Sequence, residues 1–366
     1  MTVLKLKPLD TLFFGDGKPF RMGVDTVANG IFPPLPSTIF GAIRSCYIFQ
    51  QENGLESFLK GDMETKIGRA VEDDYSGSFK IRSLALNRSY CRYYPMPLDI
   101  GISSTDKSHG RMLAPLEAVD NAEYSLTKNA SSIKHLIGTE DNDLKKADAG
   151  DYFMSETMLE YYFHGIHKIY DLRNVNFFVA LEPKVGIARE HDHTAKEGAL
   201  YRANMNRFKE DTSISVELDG ISNFEELTKI IKVGSEGKGA IVEGSDDGLW
   251  DNDKFNLSQI EDLITARKLF KVIFLTPAIF DSGWLPTFKG VKIKPVAASI
   301  GKPVLAGGWD MNKRWHKPMY KAIPAGSVFY YELGDVSVDD LANIHLKNHG
   351  KRSHEGFGFA FVAACN

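Results

Sequence analysis

Apolar and polar positions alternate from the start of the chain. Val3, Leu4 and Leu6 are interleaved with Lys5 and Lys7 before Pro8 ends the run, which predicts a short strand. A glycine- and proline-rich stretch follows, Phe13 to Phe20, and Pro33-Pro34-Leu35-Pro36 halts regular structure. A helical period then takes over. Ile39, Ile43 and Tyr47 recur on one face, Ser37 or Thr38 is a good N-cap, and a helix over 38–50 packed on a sheet is expected. The stretch from Tyr124 to Asp151 is polar and weakly patterned, as a surface insertion would be, and Ser155 caps an amphipathic helix through about Phe163. Farther along, strands are expected at Phe177–Leu181, Leu200–Phe208, Ile214–Leu218, Ala240–Val242, Lys271–Leu275, Val328–Leu333 and Phe357–Ala363. Helices are expected at Phe224–Lys232 behind Asn223, at Gln259–Lys268 behind Ser258, and near Val338–Leu346.

Strands and short helices alternate irregularly, as in split β-α-β arrangements rather than a long doubly wound sheet. The pattern implies an α+β protein of two ferredoxin-like (RRM-like) domains with loop insertions, residues 1–170 and 171–366. A length of 366 residues fits two domains, and 43% hydrophobic residues suffice for a sizeable core, so global disorder is excluded. The three cysteines, Cys46, Cys91 and Cys365, are far apart and odd in number, which argues against a disulfide framework. With no apolar leader and no run near the ~20 residues of a membrane span, a cytoplasmic protein without membrane contact is expected.

A net charge of −4 argues against a uniformly basic nucleic-acid binder, but the average hides a strong asymmetry. Residues 210–262 hold fourteen acids and four bases. From Trp284 to Lys321 there are eight bases, including Lys302, Lys313, Arg314, Lys317 and Lys321, and one acid, Asp310, interleaved with Trp309, Trp315 and Tyr320. Cations neutralise phosphates, and aromatic faces stack on bases. A second basic stretch, Lys184 to Lys209, includes Lys184, Arg189 and Arg202. Near the C-terminus Lys351-Arg352 precedes Gly356-Phe357-Gly358-Phe359, where small residues allow backbone-to-phosphate contact. The acidic segment is expected to face away from RNA.

Enzyme chemistry finds little support. Gly234-Ser235-Glu236-Gly237-Lys238-Gly239 does not match the phosphate-binding loop pattern, and neither a Gly-x-Ser-x-Gly nor a His-Glu-x-x-His occurs. The pairs His191/His193, His164/His167 and His345/His349 lack a third ligand. No metal, cofactor or catalytic residue is assigned.

Several blocks, in order along the chain, give it a resemblance. They are Pro8 to Phe20; Pro34 to Arg44; Val185 to Arg189 with Glu197 to Tyr201; Leu275 to Phe280 with Gly283 to Pro286; Gly307 to Asp310 with Lys317-Pro318 and Pro324 to Ser327; and the Gly356–Ala360 loop. Through them the chain resembles the RAMP superfamily of CRISPR proteins, and within it the family of the third Cmr subunit of type III-B effector complexes. The resemblance implies a non-catalytic subunit that helps hold the 5′ tag of the CRISPR RNA. It also implies two protein partners, the large polymerase-like subunit and a backbone RAMP subunit. Carried to matching positions, Ser37, Thr38 and Arg44 meet RNA phosphates at a helix start. Lys18, Arg21, Arg189, Trp309, Lys317 and the loop Gly356-Phe357-Gly358 line the tag site. The alternatives are a RAMP-type endoribonuclease that processes precursor RNA and a carbohydrate- or nucleotide-modifying enzyme. The first is weakened because no histidine precedes His109, leaving the N-terminal loops without the usual general base.

Overall fold

The computed structural model describes residues 2–16, 27–68, 77–117, 135–138, 143–191, 194–221, 229–245, 248, 250, 253–311 and 313–365. The architecture is mixed α+β and rich in strands. Its largest sheet has eight strands in the order Arg173–Asn174, Tyr152–Ser155, Cys91–Pro95, Lys80–Arg88, Thr212–Asp219, Thr2–Pro8, Lys238–Ser245, Ile230–Val233. A second sheet of five has the order Pro295–Ser299, Val328–Glu332, Leu269–Phe274, Phe359–Ala364, Lys347–Asn348. All their pairings are antiparallel.

The expected division at residue 170 does not match a change of sheet. Strand Thr2–Pro8 lies between Thr212–Asp219 and Lys238–Ser245, with Leu4 opposite both Val216 and Gly244. The strands Thr212–Asp219, Ile230–Val233 and Lys238–Ser245 therefore complete the sheet that the N-terminus begins. The apolar side chains Leu4, Ile214 and Val216 are buried in one core, and the pairing sets the register that turns them to one face.

The first helix, Pro36–Gln50, buries Ile39, Phe40, Ile43 and Ile48 against the large sheet. Each such side chain stabilises by about 1.5–3 kcal/mol. The helix begins two residues earlier than expected. Pro36 sits at the first helical position, where its missing N–H costs nothing, so Leu35 rather than Ser37 or Thr38 is the N-cap. Ser155 caps Glu156–Phe163 as expected, accepting from the Met158 amide at 3.4 Å. The expected helix ending at Lys232 is overturned where it is described, since Ile230–Val233 is an edge strand whose alternate residues Ile231 and Val233 are buried. The Gln259–Lys268 helix shortens to Glu261–Arg267, and Asn256 rather than Ser258 caps the 3-10 turn before it. Strand Val179–Arg189 pairs with Ala195–Phe208 as a long hairpin, which the pattern had divided into unrelated pieces.

One apolar core joins the second sheet to the segment 94–172. Trp250 packs on Tyr94, Phe255 and Phe359. Inside it lies a wholly buried ion pair, Lys271 Nζ to Asp99 Oδ2 at 3.2 Å. The hydroxyls of Tyr162 and Tyr330 each donate to Asp99 at 2.7 Å, so the carboxylate is satisfied on both oxygens. No helix among the described residues is long and apolar enough to cross a membrane.

Candidate nucleic-acid interface

Two segments meet beside the first helix. One is the hairpin of Trp309–Asp310 and Trp315–His316, in which Trp309 opposes His316 and Asp310 opposes Trp315. Its turn is fixed by the buried Asp310 carboxylate, which accepts from the Lys313 amide at 3.1 Å. The aromatic groups stay outside. Trp309 is 54% and Trp315 69% exposed, and the His316 ring meets Trp309 edge-on at 5.1 Å. Lys313 and Arg314 are exposed at the tip. The tip thus offers stacking faces next to cations, the combination that binds single-stranded nucleic acid.

The second segment is the 350–358 loop, and it is buried. Gly356 and Gly358 have φ of +99° and +71°, and a Cβ on Gly358 would sit 1.9 Å from the His349 carbonyl oxygen. Gly356 presses on Ile81 and Pro36, which leaves no room for RNA at this backbone. Phe357 is fully buried. The expectation that Gly356, Phe357 and Gly358 line an RNA site is therefore not met by their exposure. The loop instead locks the first helix to the strand Lys80–Arg88.

A buried charge knot ties the two segments together. Arg352 donates to Glu355 from Nε at 3.0 Å and from Nη2 at 2.6 Å, and from Nη1 to the Gly307 carbonyl at 2.8 Å. Lys317 Nζ reaches the other Glu355 oxygen at 2.9 Å. Burial opposes ionisation of Glu355, but Arg352 and Lys317 outweigh it and hold the carboxyl below its usual range. Burial pushes the neighbouring His354 down to about 4, so it is neutral at pH 7. Arg352 and Glu355 escaped the sequence reading as a pair. The i, i+3 spacing of opposite charges was the available signal.

Above the knot opens a cavity of 790 Å³. Ser37, Thr38, Arg44, Gly308, Trp309 and Lys317 all line it, so the structure brings together positions spread over 281 residues. Two of these are less available than expected. Arg44 is 9% exposed, bonds the Gly68 carbonyl at 2.5 Å and lies 4.8 Å from the Phe58 ring. Lys317 is occupied by Glu355. Ser37 and Thr38 are half-buried in the first helical turn.

The remaining expected residues lie elsewhere. Lys302 and Lys321 are exposed around the strand pair Val304–Ala306 and Tyr320–Ala322. Lys184, Arg189 and Arg202 belong to the long hairpin, with Val185 opposite Arg202 and Arg189 opposite Ala195. Lys18 and Arg21 lie outside the described residues. Among the described residues no group of three His, Cys, Asp or Glu is arranged to hold a metal ion.

The model of the CRISPR-associated protein family Cas_Cmr3 matches residues 4–364. No curated protein matches the chain. Among solved structures, the fold is similar to a chain of the cryo-EM structure of Type III-B Cmr-beta bound to cognate target RNA. The TM-score is 0.50 and the identity 16%, covering 90% of this chain and 86% of that one. A chain of the Csm3-Csm4 subcomplex of the type III-A CRISPR-Cas interference complex is also similar, at TM-score 0.40 and 14% identity over the whole of both chains. The chain belongs to the CRISPR-associated Cas_Cmr3 family, the RAMP subunits of type III-B effectors.

Proposed function

We propose that this chain is a non-catalytic, RNA-binding subunit of a cytoplasmic type III-B CRISPR ribonucleoprotein. It holds the 5′ tag of the CRISPR RNA and packs against the large polymerase-like subunit and a backbone RAMP subunit. The observation that carries this assignment is the exposed hairpin with Trp309, Trp315, Lys313 and Arg314, whose Trp309 lines a cavity that also takes in the start of the first helix. Stacking on the two indoles and charge at the tip suit a single strand of any sequence. The similar Cmr-beta chain comes from an assembly bound to target RNA, which agrees with this role.

Exposed apolar surface supports the protein partners. Leu181, Val185 and Ile187 project along one face of the long hairpin with Leu200 beside them, and Phe49, Leu55 and Leu59 form a second patch. We also read the order Lys80–Arg88, Thr212–Asp219, Thr2–Pro8, Lys238–Ser245, and the matching order in the second sheet, as two ferredoxin-like units. On that reading they divide near residue 250, and residues 89–211 are an insertion between two strands of the first. His345 and His349 support the absence of catalysis. His345 is half-buried and His349 buried, and both are bonded to backbone carbonyls, at 2.6 Å to Phe255 and 2.9 Å to Ile344.

Reconstitution with tagged guide RNA tests the assignment. The double variant W309A/W315A is expected to weaken RNA loading by about tenfold or more, the loss of one stacked base. Unchanged loading removes the tip from the RNA site. Specific, metal-independent cutting of repeat RNA by the pure protein would overturn the non-catalytic assignment.

A further inference from the structure

A second cleft of 790 Å³ lies on the other side of the Arg352–Glu355 knot, and Arg352 lines both cavities. Its walls come from the strand Lys80–Arg88, from residues 279–287 and from the 346–354 segment. Four cations besides Arg352 line it: Lys80, Arg82, Lys347 and Lys351. The acids are Asp219 and Asp281. Lys351 pairs with Asp281 at 2.8 Å, and Arg82 donates to the Leu346 carbonyl at 3.4 Å. Lys80 and Lys347 are exposed and pair with no carboxylate among the described residues.

This local excess of positive charge in a concave, polar site attracts anions, although the whole chain has a net charge of −4. Arg352 cannot supply the attraction, because Glu355 neutralises it. The unpaired ammonium groups of Lys80 and Lys347 can, since an ammonium presents three donors and a full charge to any phosphate oxygen that approaches.

We propose that this cleft is a second phosphate-binding site, gripped by Lys80 and Lys347 with Arg82 and Lys351 beside them. Its ligand is the phosphodiester backbone of an RNA strand that leaves the Trp309 cavity and crosses the 350–354 turn. The continuity of the strand rests on the RNA assignment of that first cavity, whereas the affinity for phosphate does not. A free nucleotide presents the same chemistry.

The test uses the full chain with a labelled short single-stranded RNA, read by fluorescence anisotropy over a salt titration. The variants are K80E/K347E, the neutral K80Q/K347Q, and W309A/W315A. Lys80 and Lys347 lie at the surface, and thermal melts check that the variants fold. K80E/K347E is expected to weaken binding by about tenfold or more at low salt. K80Q/K347Q is expected to lower the slope of log K against log salt by about 1.4, two phosphate contacts at ~0.7 each. If the Trp variant loses affinity while both Lys variants keep the wild-type affinity and slope, RNA binds but the second cleft is not part of its path. If the Lys variants lose affinity and the Trp variant does not, the cleft stands and the first cavity fails. Melts with ATP and with inorganic phosphate separate the sources. A stabilisation by ATP that K80Q/K347Q abolishes, with the RNA slope unchanged, assigns the cleft to a nucleotide. No change in RNA slope and no phosphate-dependent stabilisation overturns the proposal.

Discussion

The 309–316 hairpin and the 350–358 loop have similar compositions and opposite fates. Both combine an aromatic residue, an adjacent Lys-Arg pair and a single acid. In the hairpin the one acid, Asp310, is used inward to hold a turn, so Lys313, Arg314 and both indoles remain at the surface. In the loop Glu355 stands three residues after Arg352 and closes an ion pair that is almost wholly buried. The difference lies in where the nearest carboxylate points. Composition measures how many cations a segment has, and the local acid decides how many are available to a ligand.

This contrast fails first at Glu355 if it is mistaken. Glu355→Ala leaves Arg352 and Lys317 buried and unpaired, and a loss of about 3–5 kcal/mol in urea denaturation is expected. A loss within the range of a surface substitution would show that the knot is not a stabilising element. Acid should act on the same part of the fold. Burial holds His345 and His354 near 4, against about 6.5 when unfolded. The unfolded chain therefore binds more protons between these values, and stability present above pH 6.5 falls as the pH drops toward 4. Glu355, whose pKa is lowered, loses stability in the same direction. His345 shows the reason: its Nδ1 accepts from the Val362 amide at 3.1 Å, and protonation there removes the bond. Thermal melts from pH 7 to 4 check this, and His345→Asn should flatten the profile. A melting temperature constant over that window would mean these histidines are not buried as neutral groups. The smallest expected effect on stability is at the hairpin tip. K313A/R314A should change the unfolding free energy read from urea denaturation by no more than about 0.5 kcal/mol. The same variant should lower the salt slope of RNA binding by about 0.7 per phosphate contact. A large stability loss there would erase the distinction between the two segments.

Much of the local structure was legible from sequence. The apolar runs that became Leu269–Phe274, Val328–Glu332 and Phe359–Ala364 are central strands, and a continuous apolar run predicts such burial directly. The Ser155 cap and the first helix were readable because capping and helical period are local. Trp309, Lys313 and Arg314 were singled out by the density of cations and aromatics, and they are exposed. The family was legible as well, since its blocks recur in order along the chain.

Arrangement was not legible, because it depends on partners far apart in sequence. Lys271 sits in an apolar strand with no local sign of its partner, yet Asp99, 172 residues away, lies 3.2 Å from it. The sequence determined that this protein would be a mixed α+β chain rich in strands and would carry a basic, aromatic segment near residue 310. The tertiary structure decided which strands complete each sheet, and so moved Thr212–Asp219, Ile230–Val233 and Lys238–Ser245 into the first. It also decided which cations remain available. The physical reason is the same in both cases: a hydrogen-bond ladder or a buried charge is satisfied by whichever complementary group the packed core brings near, whatever its distance along the chain.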